Sequence, residues 1–183
     1  MAGFFGLSRR NRHERTGFQL YNLAVAAARD PFLYLTGGVP DTLDGRFDLI
    51  GLHTFLLIHR LTREPEPGPA VAQAIFDAMF SDMDINLREM GVGDMSVGKR
   101  VKAMWEAFHG RAAAYTAALD AGDETALTDA LARNLWRGAE LPAGADAMMC
   151  RMVVAQTRTL AGQPLAALAR GEARFLPAEE ACR

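Results

Sequence analysis

This chain of 183 residues has very little cysteine, equally little lysine, and no apolar run of membrane-spanning length. Its two cysteines, Cys150 and Cys182, are far apart, so they build no disulfide framework and supply no zinc site. Their scarcity fits a reducing compartment. Lysine occurs only at Lys99 and Lys102, and arginine fills the other cationic positions. We associate that bias with GC-rich bacterial genomes. The longest apolar candidate, Leu49 to Leu61, is broken by His53, His59 and Arg60. It also falls short of the ~20 residues a spanning helix requires. At the N-terminus the apolar residues precede the arginines and no cleavage pattern follows, so we expect a cytoplasmic protein. A net charge of −2 gives no electrostatic case for DNA binding.

Strand alternation is nearly missing, whereas three- and four-residue spacings are everywhere. Ala72, Phe76, Met79, Phe80, Met83, Leu87 and Met90 form one apolar stripe. Gly91 and Gly93 then stop that helix, and Asp94 or Ser96 is placed to cap the next. There Val97, Val101, Met104, Trp105, Phe108, Ala112, Tyr115 and Leu119 form a second stripe. The short turn predicts an antiparallel pair of helices. Leu43 to Arg63 is apolar nearly all round, the pattern of a helix buried at a domain's centre. Other helices are expected over Phe18 to Arg29, from Asp123 to Trp136, and over Ala145 to Leu160. Thr36 to Thr42, Glu64 to Pro69 and Leu141 to Gly144 read as connectors. Beyond Pro164 the pattern weakens to a short helix and a frayed tail. The fold class is therefore all-α, a single domain of about six or seven helices in an irregular bundle. Its expected organisation is a basic and apolar leader (1–16), a helical domain (17–173) and a tail (174–183).

Several motifs imitate ligand sites and fail on chemistry. Gly93 to Lys99 reads G-x-x-x-x-G-K, but Arg100 stands where a phosphate loop needs a magnesium-binding hydroxyl, and a helix precedes it instead of a strand. Asp82, Asp84 and Asn86 have calcium-loop spacing, but Leu87 replaces the turn glycine and Gly93 replaces the bidentate glutamate. His53 and His59 are six apart, about 120° around a helix, and cannot chelate one ion. No nucleophile elbow occurs. The residues thus call for no catalytic group, no cofactor and no metal. The methionines at stripe spacing are core fillers that would also suit a groove for irregular apolar partners.

Two long blocks carry a resemblance. NLREMGVGDMSVGKRVKAMWEAFHGR (Asn86 to Arg111) and YLTGGVPDTLDGRFDLIGLHTFLLIHRL (Tyr34 to Leu61) resemble the ubiquinol–cytochrome c chaperone family, the assembly factors of respiratory complex III. The similarity runs from about Phe18 to Trp136. It implies a helical, non-enzymatic protein that binds newly made cytochrome b, or an assembly intermediate of the complex. Ribosomes or a small helper protein are further implied partners. A helical adaptor without a respiratory role and a small-molecule enzyme are the other classes open to the chain.

Candidate contact residues follow from charge and position. Asp41 and Arg46 open the second block, and Arg88, Lys99, Arg100 and Lys102 form a basic rim beside the helix turn. We expect this rim to border a modest apolar patch instead of a deep cavity. In the leader, Phe4, Phe5 and Leu7 precede Arg9, Arg10, Arg12 and Arg15. Aromatics that enter a lipid interface beside cations that attract anionic headgroups make a peripheral contact on the cytoplasmic face of the inner membrane. One outcome follows directly from the failed phosphate motif. ATP or GTP with magnesium should leave the thermal unfolding midpoint unchanged; a saturable rise abolished by Lys99→Ala would contradict this.

Overall fold

The computed structural model describes the backbone of residues 4–183 and the side chains of residues 13–183 except Met95. Among the described residues there are nine helices and no strand. Six helices are long: α1 (Phe4–Ala28), α3 (Leu43–Leu61), α4 (Gly68–Glu89), α5 (Asp94–Ala121), α6 (Glu124–Leu135) and α7 (Ala145–Ala161). Three are short: α2 (Pro31–Leu35), α8 (Leu165–Leu168) and α9 (Ala178–Ala181).

Helix α3 sits at the centre, as its all-round apolar pattern demands. It packs against α1, α4, α5, α6 and α7. Leu49, Leu52, Leu56, Leu57 and Leu61 are buried along it. Thr42 caps its start, with the Thr42 Oγ1 accepting from the Gly45 amide at 3.1 Å. On one side α1 lies across α4, and the crossing is close. A Cβ on Gly17 would stand 2.5 Å from the Ala74 carbonyl, so only glycine lets these backbones approach so nearly. On the other side α6 and α7 close the core, with Leu127, Leu131, Met149, Met152 and Val153 buried. Asp123 caps α6 by accepting from the Ala126 amide at 2.9 Å.

The expected antiparallel pair is α4 and α5. Gly91, at φ 77°, takes the left-handed cap conformation, and the Val92 amide donates back to the Leu87 carbonyl at 3.1 Å. Phe76 and Phe80 meet Phe108 edge-on, with ring centroids 5.8 and 6.3 Å apart. Four expectations need correction. Trp105 is 45% exposed and stacks on His109, and Met90 is exposed too; both fit their stripes by spacing but are left uncovered by the neighbouring helices. Asp94 and Ser96 do not cap α5. Gly93 takes the cap position, and the Asp94 carboxylate pairs with Arg88. Helix α1 begins at Phe4, not near Phe18. The end of the chain is not frayed. The Gln156 side chain makes two hydrogen bonds to the Leu176 backbone, the Ala178 amide donates to Asp30, and Cys182 is buried.

Of the leader residues, Phe4, Phe5, Leu7, Arg9, Arg10 and Arg12 lie outside the described side chains, and Arg15 is exposed on α1. No helix among the described residues is long and apolar enough to cross a membrane.

Buried histidine gives the core a pH dependence. His53 is 2% exposed, and its Nδ1 donates to the Leu49 carbonyl at 2.9 Å, since a carbonyl can only accept. Burial lowers its pKa from 6.5 to about 4. The unfolded chain therefore binds the extra proton first, so this stabilisation is complete above pH 6.5 and is lost as pH falls toward 4. The loss is on the order of 3 kcal/mol. Burial lowers His59 in the same direction. Replacing His53 with Met should flatten the unfolding midpoint against pH across this window, relative to the wild-type chain.

Candidate functional site

A groove of about 980 Å³ is lined by α1, α2, the start of α3, the end of α4 and the start of α5. One wall comes from α1 and α2, through Tyr21, Val25, Pro31, Tyr34 and Leu35. The floor is the start of α3, through Leu43, Phe47 and Ile50. The opposite wall is the end of α4 and the start of α5, through Met83, Leu87, Met90, Ala103, Met104 and Ala107. The sequence pattern had suggested a shallower patch. The aromatic cluster of Phe76, Phe80 and Phe108 packs α4 against α5 farther from the turn.

Polar groups edge this apolar trough. Five arginines (29, 46, 100, 111 and 137) and three aspartates (41, 44 and 82) line it, a local charge of +2 in a chain of −2. Most are already engaged. Arg46 donates to both Asp41 carboxylate oxygens at 2.6 and 3.1 Å, and this pairing holds the Asp41 carboxyl below its ordinary range. Asp82 accepts from the Tyr21 hydroxyl at 2.7 Å. Burial and that carboxylate raise the Tyr21 pKa and keep it protonated.

Under the floor lies a fully covered carboxylate. The Asp48 side chain has no exposed surface. It accepts from Arg111 of α5 and, at 2.6 and 2.8 Å, from the Nε and Nη2 of Arg137 after α6. Arg137 also reaches Asp44 at 3.1 Å. A carboxylate this deep requires such compensation. Arg137 takes φ 50°, a left-handed conformation uncommon for a residue with a side chain, to aim its guanidinium at Asp48. That raises its own pKa, chiefly through the Asp48 hydrogen bonds. Three segments far apart in sequence are thereby locked beneath the groove. The entry loop is fixed as well. A Cβ on Gly45 would lie 2.0 Å from the Pro40 carbonyl oxygen, so glycine is required there.

The sequence candidates divide. Asp41, Arg46 and Arg100 line the groove. Arg88 is paired with Asp84 and Asp94, Lys102 with Glu106 at 3.7 Å, and Lys99 is exposed; these three lie off the lining. Asp48, Arg111 and Arg137 were not among the sequence candidates. Their signal was a charged residue within an otherwise buried helix, which implies distant counter-charges without saying which. The G-x-x-x-x-G-K stretch lies within α5 apart from Gly93, and the D-x-D-x-N acids lie within α4. Among the described residues no cluster of His, Cys, Asp and Glu is arranged to hold a metal.

With this geometry in hand, comparison with known proteins is decisive. Residues 36–175 match the model of the ubiquinol-cytochrome C chaperone family. This chain belongs to that family. The match spans the groove's α3 floor, its α4–α5 wall and the Asp48–Arg111–Arg137 lock. The chain is 36% identical to the protein in the crystal structure of the Cbp3 homolog from Brucella abortus. That superposition covers 98% of this chain and 99% of the other, with a TM-score of 0.82. A curated relative, ubiquinol-cytochrome-c reductase complex assembly factor 1 of Xenopus laevis, is 28% identical over 101 residues. Those residues are 54% of this chain and 47% of the relative, so the chain spans about half the length of the curated relative it matches.

The lock yields a graded expectation for this family member. Asp48→Ala should cost roughly 3 kcal/mol, because two guanidiniums lose a buried counter-charge. Asp44→Ala, at a largely exposed carboxylate, should cost under about 1 kcal/mol. Urea unfolding of the two variants reads the difference.

Proposed function

We propose that this chain is an assembly chaperone of ubiquinol–cytochrome c reductase, which holds newly made cytochrome b, or an early intermediate containing it, in the groove between α1–α3 and α4–α5. The groove is the observation that carries the reading. Its walls are apolar and methionine-bearing, so they adapt to more than one side-chain pattern. Its polar edge groups are largely satisfied by one another, so a client's apolar segment can leave without stranding buried charge. Reversible holding needs that balance, since a chaperone must release its client as partner subunits arrive. Membership of the family supports the same reading, as does the likeness to an assembly factor and to a Cbp3 homolog. The reading requires no reaction of the chain itself. We place the work at the cytoplasmic face of the inner membrane, where the leader from Phe4 to Arg15 supplies a peripheral contact.

Deletion of the gene tests the role, and crosslinking tests the site. Loss of assembled ubiquinol–cytochrome c reductase with the other respiratory complexes intact is the expected phenotype. A photoreactive residue at Met104 should capture cytochrome b in growing cells, and one at exposed Lys99 should capture it less. An intact complex III after deletion would instead favour a helical adaptor without a respiratory role.

A further inference from the structure

The mouth of the groove differs from its interior. Leu35 ends α2, Leu43 starts α3 and Met90 follows α4, and all three line the groove while remaining 84%, 62% and 49% exposed. A ligand lying wholly inside the groove would leave most of that surface in water. Only something broader than the trough covers all three at once. Cations stand among them. Arg29 and Arg100 are exposed on opposite walls, and among the described residues neither has a carboxylate partner. Arg46 stands nearby, neutralised by Asp41. Protruding aliphatic side chains between arginines unmatched by acids are the chemistry of a surface that rests on anionic lipid. The chains enter the interface and the guanidiniums meet headgroups.

We infer that the groove mouth, formed by Leu35, Leu43 and Met90 with Arg29 and Arg100, is a docking face for an anionic lipid bilayer. Seated this way, the trough opens toward the membrane, and an apolar client segment enters it from the lipid side without crossing water. The contact is separate from the N-terminal leader and does not depend on which client the groove holds. It relies on charge for only part of its strength, so it weakens with salt without vanishing.

Co-sedimentation of the full-length chain with vesicles tests it, using phosphatidylcholine alone and phosphatidylcholine with phosphatidylglycerol. The affected residues are exposed, so their variants should fold, and unchanged unfolding midpoints verify this. The wild-type chain should prefer the anionic vesicles. Arg29→Gln with Arg100→Gln should weaken that binding about tenfold at low salt and little at high salt. Leu35→Ser with Leu43→Ser should weaken it at both. Trp105→Ser, at an exposed apolar residue off the groove, should bind as wild type. Mouth variants that partition like the wild-type chain would overturn the inference, whether binding then comes from the leader or from the client. So would a wild-type chain that ignores anionic vesicles.

Discussion

Helix α3 has no polar face along most of its length, and that constraint organises the molecule. A helix of this kind is stable in water only when other helices surround it. Five do so here, and each supplies an apolar stripe to one sector of its circumference. The bundle is irregular because the surrounding helices differ in length and direction. Helix α1 crosses α4 at Gly17, while α6 and α7 form a separate layer on the opposite side. The exposed start of α3 is where its character changes, and there the groove forms. Within three turns the helix passes from exposed Leu43 and Asp44 through buried Asp48 to wholly buried Leu49.

Asp48 links that transition to the site. An unpaired carboxylate at this depth would cost several kcal/mol, so the fold holds only with its arginines in place. Arg111 and Arg137 come from α5 and from the turn after α6, and both reach the same carboxylate. The wall, the floor and the following turn are therefore positioned by one charge cluster. The aromatic contacts of Phe108 hold α4 to α5 further along. The trough lies on the turn side of these anchors, along Met83 to Met90 at the end of α4 and Arg100 to Ala107 of α5. A rigid frame around an apolar, methionine-bearing groove suits a protein that must bind unfolded or partly assembled segments without following their shape changes.

Family membership and groove geometry bear on different questions. The match over residues 36–175 assigns the chain to a group of chaperones, and the likeness to the Brucella abortus structure extends over nearly the whole chain. Neither assigns a surface. Our proposal of a surface rests on physical grounds, an apolar groove next to arginines without a carboxylate partner among the described residues. The outer face bearing Trp105 and His109 is aromatic too, but the two rings stack on one another with centroids 3.9 Å apart and so cover part of each other's surface.

Much of this protein was determined by local sequence. Helix identity follows from spacing, and several ends follow from residue chemistry within four residues: Thr42 and Asp123 at starts, Gly91 and Gly122 at stops. The central place of α3 also follows from its composition alone. The two blocks from Tyr34 to Leu61 and from Asn86 to Arg111 pointed to the family, and they contain much of the groove's floor and wall. Other features depended on residues far apart in the chain. Trp105 and Met90 fit their stripes, but only the crossing of α4 over α5 decides how wide a stripe is covered. The tail's hydrogen bonds to Gln156 and Asp30 have no local signature. The same holds for the partners of Asp48, which lie 63 and 89 positions away. Periodicity and capping act over a few residues and can be read directly. Counter-charges and cavities are set by how helices meet, and only the tertiary structure decides that.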